Sequence, residues 1–329
     1  MIYFWINRAL LNCSLNWFYK SLGISKQAFH QSRKRSIRYE AEVEDLIQLL
    51  HQIRADHPTM NCRDMYYKIN PLFVGRDKFE GLCKECGFSV FRPKNLRRTT
   101  DSTGVVRFEN LIIDLELNRI NQVWSSDITY FEIEKVFYYI TFILDNYSRR
   151  IIGHKVSSRL STEHTSLPAI KMALKTREGQ TLDGVIFHSD GGGQYYDKAF
   201  LALTNSHRFK NSMCEFAWEN GKAERVNGVI KNNYLHPWGI NSYEKLIKGV
   251  DRAVKLYNTD KPHSSLHRMT PLQFEAKMYT FRMQNRSKVI ASIDEKSADT
   301  QGVNALRNQC KTGLRIQKSS LKKMIENAE

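Results

Sequence analysis

The chain has 329 residues, 41% of them hydrophobic, 26% charged and 11% aromatic. That leaves room for about two domains with a real core, and it excludes wholesale disorder, a collagen-like repeat and a disulfide scaffold. Lys and Arg number 50 against 34 Asp and Glu, a net charge of +16; an excess of that size repels itself unless it meets a polyanion, so nucleic acid is the expected partner.

The opening MIYFWINRALL is apolar, but Asn7 and Arg8 interrupt it and no small-residue cleavage site follows, so it does not read as a signal peptide. Residues 14–38 follow as an expected helix-turn-helix: a short apolar helix, Gly23 at the turn, and Ser25 as N-cap of a second helix that carries Lys26, Arg33, Lys34 and Arg35. Such hairpins are common, and the overall charge is what tilts this one toward DNA. From 40 to 56, Val43, Leu46, Ile47, Leu50 and Ile53 recur at helical spacing, which predicts a separate amphipathic helix. Shorter helices are expected at Cys62–Ile69 and Asp77–Cys86, closing a helical, DNA-binding region over 1–91. Residues 92–104 lack apolar periodicity, and 92–118 reads as a basic linker.

Beyond it the pattern turns strand-like, in VWSSDITYFEI (123–133), KVFYYITFILDNYS (135–148) and RIIGHKVSS (150–158). A helix is expected over Thr162–Lys175, a strand over 184–190, a helix near Lys198, a strand at 209–213, and helices over Asn220–Leu235 and Ser242–Tyr257. That order predicts an α/β fold, a ribonuclease H-like mixed five-stranded sheet flanked by helices, over 119–280. Residues 281–329 form a basic, weakly periodic tail. No run approaches the ~20 apolar residues of a membrane helix, so no membrane partner is expected. The six cysteines form no dense framework, which fits a reducing cytoplasm.

Three carboxylates stand out by position. Asp127 lies inside the first strand, Asp190 ends the fourth in FHSDGGGQYY, and Glu224 sits in the helical ENGKAERVNGVIK. The first and fourth strands should be adjacent, and a helix across their ends could bring Glu224 to both aspartates. Oxygen ligands of this kind suit Mg²⁺ better than Zn²⁺. Two such ions about 4 Å apart would activate a water or 3′-hydroxyl and stabilise the leaving oxygen of a phosphodiester. Glu224, Asn227 or Gly228, and Lys231 share one helix face, so Lys231 could reach a flanking DNA phosphate, with Lys222 and Arg225 nearby. The three glycines after Asp190 let a backbone approach a ligand closely.

The stretches NQVWSSDITYF, ITFILDNYSRRIIGHKVSS, FHSDGGGQYYDKAF, WENGKAERVNGVIKNNYL and YNTDKPHSSLHRMTPLQF, spread over 120–275, resemble the bacterial insertion-sequence-three family of transposases, whose core is similar to that of retroviral integrases. The resemblance implies a catalytic, metal-binding triad of Asp127, Asp190 and Glu224 with Mg²⁺, Mn²⁺ substituting. It also implies that Lys231 touches the element's end. Terminal inverted repeats and target DNA would be partners of a homo-oligomer on DNA, in a bacterial cytoplasm at the nucleoid. Between Asp190 and Glu224 lie 33 residues, slightly fewer than the family pattern, in a loop tolerant of deletion. Relatives carry HSDRGSQY in place of HSDGGGQY, and Asp in place of Glu219, which makes Glu219 the rival third ligand.

Lesser candidates are Asp145 as a fourth acid, Cys83 and Cys86 as a CxxC of core-facing thiols without a second pair for zinc, and His188 and His263 near the site. His51, His57 and Cys62 do not complete a His/His/Cys/Cys module. The competing functions are an inactive DNA-binding relative or element repressor, and a ribonuclease H-like nuclease that cuts without joining.

Overall fold

The computed structural model describes Asn7 and residues 14–90, 108–214 and 217–281. The basic linker up to residue 107 and the tail from 282 lie outside these residues. The chain divides into two compact units, Met1–Val90 and Phe91–Glu329.

In the first unit, α1 (Leu15–Ser21) ends at Gly23, whose φ of 64° suits a residue without Cβ. The Ser25 hydroxyl then accepts from Ala28 N at 3.0 Å and starts α2 (Lys26–Asp56). Tyr19 and Phe29, both buried, pack ring to ring at 5.7 Å and pin the hairpin. The helix expected at 40–56 is not separate. α2 runs unbroken for 31 residues, because no Gly or Pro interrupts it and Arg38 pairs with Glu42 one turn on, across the expected break. Its far half packs with α3 (Cys62–Ile69) and α4 (Arg76–Glu85) around Leu50, Met65, Phe79 and Cys83. Arg54 ties this bundle together, donating to the carbonyls of Pro58, Met60 and Phe88 at 2.7–2.9 Å. Cys83 is buried, with burial and the adjacent Cys62 pushing its thiol up to about 12, but Cys86 is exposed rather than core-facing.

The second unit is built on a five-stranded sheet of order β3-β2-β1-β4-β5. β1 (Val123–Ile133), β2 (Val136–Asp145) and β3 (Ile151–Ser157) form an antiparallel meander, and β4 (Ile186–Ser189) and β5 (Lys210–Met213) extend it in parallel on the β1 side. α5 (Ser166–Thr176) and α6 (Lys198–Ser206) cover one face over Trp124, Ile143, Ile170 and Phe187. At Gly153 a Cβ would come within 2.3 Å of Ala169 O, so α5 lies too close to β3 for any larger residue. α7 (Gly221–Ile230) and α8 (Tyr243–Thr259) cover the other face over Phe131, Phe142, Val226 and Val250. This is the ribonuclease H-like architecture. No helix among the described residues is long and apolar enough to cross a membrane.

Residues 271–281 are helical (α9) and belong to the core. Thr270 and Gln273 cap its start reciprocally, side chain to backbone in both directions. Glu275, fully buried, takes Nη1 of Arg177 and Nη1 of Arg150 at 2.8 Å each. Burial alone would raise its carboxyl, but the two guanidiniums outweigh it and hold the group down at about 2. Arg177 also reaches Asp145 at 3.3 Å, so two cations and two anions compensate one another in a dry interior.

Candidate active site

Ser126 on β1 pairs with Ser189 on β4, and Asp127 and Asp190 are the next residues along these parallel neighbours. β1 continues past this point while β4 ends at Ser189, and α7 packs against β1 beside Asp127.

α7 is fastened to β1 by polar side chains from a single face. Asn220, just before it, donates Nδ2 to Ser126 O at 2.9 Å; Asn227 donates to Asp127 Oδ2 at 2.6 Å; and Lys231, where the helix loosens into a π turn (Lys231–Leu235), donates Nζ to Thr129 Oγ1 at 2.7 Å. The spacing of four, seven and eleven residues keeps all three and Glu224 on the same stripe. Glu224 itself is exposed.

Asp127 is where the electrostatics concentrate. Burial, then the charges of Asp190 and Glu224, push its carboxyl up to about 7, against the bond from Asn227. Asp190 is also raised by burial, opposed by the Gly192 N–H that donates to Oδ1 at 3.2 Å. A Cβ on Gly192 would stand 2.9 Å from Gln194 Oε1 and 3.1 Å from that same Asp190 oxygen, and one on Gly191 would stand 2.8 Å from the end of Met213, whereas Gly193 has open space.

Among the described residues no set of three or more His, Cys, Asp or Glu side chains is gathered tightly enough to hold a metal ion. The three acids therefore feel one another without forming a closed cage. Their chemistry still fits a hard divalent cation, because all three offer carboxylate oxygens and a dication between them removes the repulsion that raises Asp127.

The other sequence candidates fall into place. Glu219 lies beside His188 and Cys214, acting on their titration, whereas the acids acting on Asp127 are Asp190 and Glu224. Asp145 is spent on structure: its oxygens accept from the backbone of Asn121, Tyr147 and Ser148 and from Arg177. His188 is buried, shares a 3.0 Å bond with Ser212 and is pushed down to about 4 by burial, so its ring is neutral. His263 packs edge-on against Tyr257 and bonds to its carbonyl, closing the loop after α8. Lys222 is half-buried and lowered to about 8 by burial and by Arg149, while Arg225 is exposed. Lys26, Lys34 and Arg35 are exposed on α2 and Arg33 is half-buried, all in the first unit. Sequence reasoning missed Asn220, although its spacing of four residues before Glu224 was the available signal.

Residues 118–217 match the integrase core domain family, and residues 207–271 match a second integrase core domain description. The chain is 31% identical over 173 residues to the transposase InsF for insertion sequence IS3A of Escherichia coli K12, covering 51% of this chain and 59% of that one. It is 27% identical over 215 residues to the insertion element IS600 uncharacterized 31 kDa protein of Shigella sonnei, 64% of this chain and 78% of that one. The structure of the HTLV-2 integrase catalytic core domain in complex with magnesium, in its trimeric form, overlaps 47% of this chain and 95% of its own at 18% identity and a TM-score of 0.39.

Proposed function

We propose, from the integrase core domain of the insertion-sequence-three transposase kind that residues 118–271 of this chain carry, that the protein cuts the terminal inverted repeats of a mobile element and joins them to target DNA by phosphoryl transfer. One observation carries the reading: Asp127 and Asp190 are consecutive neighbours beyond the Ser126–Ser189 pair, with the charge of Glu224 acting on Asp127. Asp127, Asp190 and Glu224 would hold Mg²⁺, or Mn²⁺ in its place, which when bound lowers the pKa of an attacking water or 3′-hydroxyl and stabilises the leaving oxygen.

The chain's own side chains do the rest. Asn227 fixes one oxygen of Asp127, and the Gly192 N–H fixes one oxygen of Asp190. Lys231 places a cation two residues along β1 from Asp127, where a DNA phosphate can exchange with Thr129 for its protons. Lys222 and Arg225 add positive charge one turn away. In the first unit, α1 and the basic start of α2, with Lys26, Arg33, Lys34 and Arg35, would read the element's ends. Two ends must be held together for joining, which calls for a homo-oligomer on DNA, acting in the cytoplasm at the nucleoid.

An inactive DNA-binding relative is the second reading, favoured by the absence of a closed cage among the described acids. End-labelled oligonucleotides carrying the element's termini, incubated with Mg²⁺ or with chelator, separate the readings. Mg²⁺-dependent cleavage and joined products, both lost in Asp127→Asn, are expected. Cleavage without joining would leave a nuclease, and binding without cleavage would leave the inactive relative.

A further inference from the structure

Away from the acids, a cleft of about 470 Å³ lies between the β2–β3 turn, the loop after α8 and helix α9. Its basic lining residues are Arg149, His267 and Lys277, and among the described residues no acidic side chain lines it. The Arg149 guanidinium is half-buried yet makes no ion pair or side-chain hydrogen bond with the described residues, and burial, with the nearby Arg225, lowers its pKa against the opposing pull of Tyr257 and Asp145. A desolvated cation of this kind is costly unless an anion joins it. Both loops present their basic side chain from a backbone in the left-handed region that side chains rarely adopt: Arg149 has φ 60° and His267 φ 52°. Tyr147 and Phe274, with ring centroids 5.4 Å apart, form an apolar wall beside them.

The cleft is electrically continuous with the candidate active site. Lys222 and Arg225, which flank Glu224 on α7, lie close to Arg149. Positive charge thus runs from the acids, over the first turns of α7, to the cleft.

We propose that this cleft is a phosphate subsite, Arg149, His267 and Lys277 binding a backbone phosphate of a DNA strand that leaves the acids over Lys222 and Arg225, with Tyr147 and Phe274 against the adjoining sugar or base. The route rests on the DNA-processing reading above; the anion site itself does not. Basic side chains that contact phosphate contribute sequence-independent, salt-sensitive affinity, and aromatic neighbours add stacking.

The test measures binding of a labelled duplex with a single-stranded extension to the full chain in chelator, between about 50 and 200 mM salt. Lys277→Glu and Arg149→Gln should each weaken binding about tenfold and lower the salt slope by about one. Lys277 is exposed on a helix, so its variant keeps the test valid if Arg149→Gln does not fold. Wild-type affinity and slope in both variants would overturn the proposal. Calorimetry with deoxyadenosine monophosphate distinguishes the source: binding of the free nucleotide that both variants lose, with duplex affinity unchanged, overturns the DNA assignment in favour of a free nucleotide. Duplex binding through the cleft by a protein that never cleaves with Mg²⁺ would sink the transposase reading and leave the subsite standing.

Discussion

Asn227 donates its side-chain amide to Asp127 across 2.6 Å, and its own carbonyl oxygen is buried without a partner. An amide oxygen left unsatisfied is costly, and the bond it accompanies holds one carboxylate oxygen in a fixed direction. Asn227 is therefore a positioning residue. Asn227→Ala should lower cleavage by about tenfold to a hundredfold while costing at most about 1–2 kcal/mol in stability. Parallel cleavage rates and urea unfolding check this, and Asn227→Asp, which adds a fourth negative charge, should be the more damaging change.

Asp127→Asn, Asp190→Asn and Glu224→Gln should each reduce cleavage by about a thousandfold or more, an effect of about 4 kcal/mol, with end binding retained. Each removes a charge at nearly constant volume. Glu219→Gln should keep most activity, since the acids that act on Asp127 are Asp190 and Glu224 rather than Glu219. Cleavage assays beside gel-shift affinities decide it; inactivity of Glu219→Gln with an active Glu224→Gln would exchange the two roles.

Lys231→Ala should lower cleavage at least tenfold while costing about 1 kcal/mol in stability through the lost bond to Thr129. Lys231→Arg should keep part of the activity, because a planar guanidinium only partly replaces a compact ammonium. Rates at saturating DNA, set against thermal unfolding, separate a DNA contact from a strut, for which stability alone would change.

Glu275 predicts the acid limb of stability. Its folded pKa, about 2, is depressed below the ordinary 4.5, so its contribution is present in full above about 4.5 and is lost as pH falls toward 2. The linkage amounts to about 3 kcal/mol. Glu275→Gln should destabilise the protein by about 3–5 kcal/mol at pH 7, leaving two guanidiniums short of charge, and should flatten the dependence below pH 4.5. Urea midpoints across pH 2–7 for both proteins test it, and parallel curves would remove Glu275 from this role.

Residues 1–100 alone should bind DNA with an affinity that falls steeply with salt, whereas residues 120–275 alone should bind weakly and with little sequence preference. Competition with unrelated duplexes measures the difference. Equal selectivity in both fragments would reject a separate reading unit.

Much of this was legible from residue types. The segment 123–133 is β-branched and aromatic without a breaker, and β1 has those bounds. The adjacency of β1 and β4, and with it the meeting of Asp127 and Asp190, followed from element order. The fusion of two expected helices into α2 was misread because apolar periodicity fades between Ile37 and Val43, where the Arg38–Glu42 ion pair and the Ser36–Glu40 hydrogen bond support the helix instead. Helix α9 lies almost wholly within the core expected over 119–280 but was not itself anticipated; the Thr270–Gln273 cap with Pro271 after it was the overlooked signal. Helical spacing puts Asn220 and Asn227 on the stripe of Glu224, but the partners of their amide hydrogen bonds depend on tertiary approach, which no local pattern specifies.

The buried pairing of Arg177 with Glu275 also sets an order in time. Glu275 follows Arg177 by 98 residues and Arg150 by 125, so during synthesis the sheet and its helices emerge with two guanidiniums opposed by Asp145 alone. Only when α9 leaves the ribosome does the interior become neutral. A chain cut short before α9 would leave Arg150 and Arg177 opposed by Asp145 alone and should be digested faster than the full chain, which limited proteolysis of the two measures.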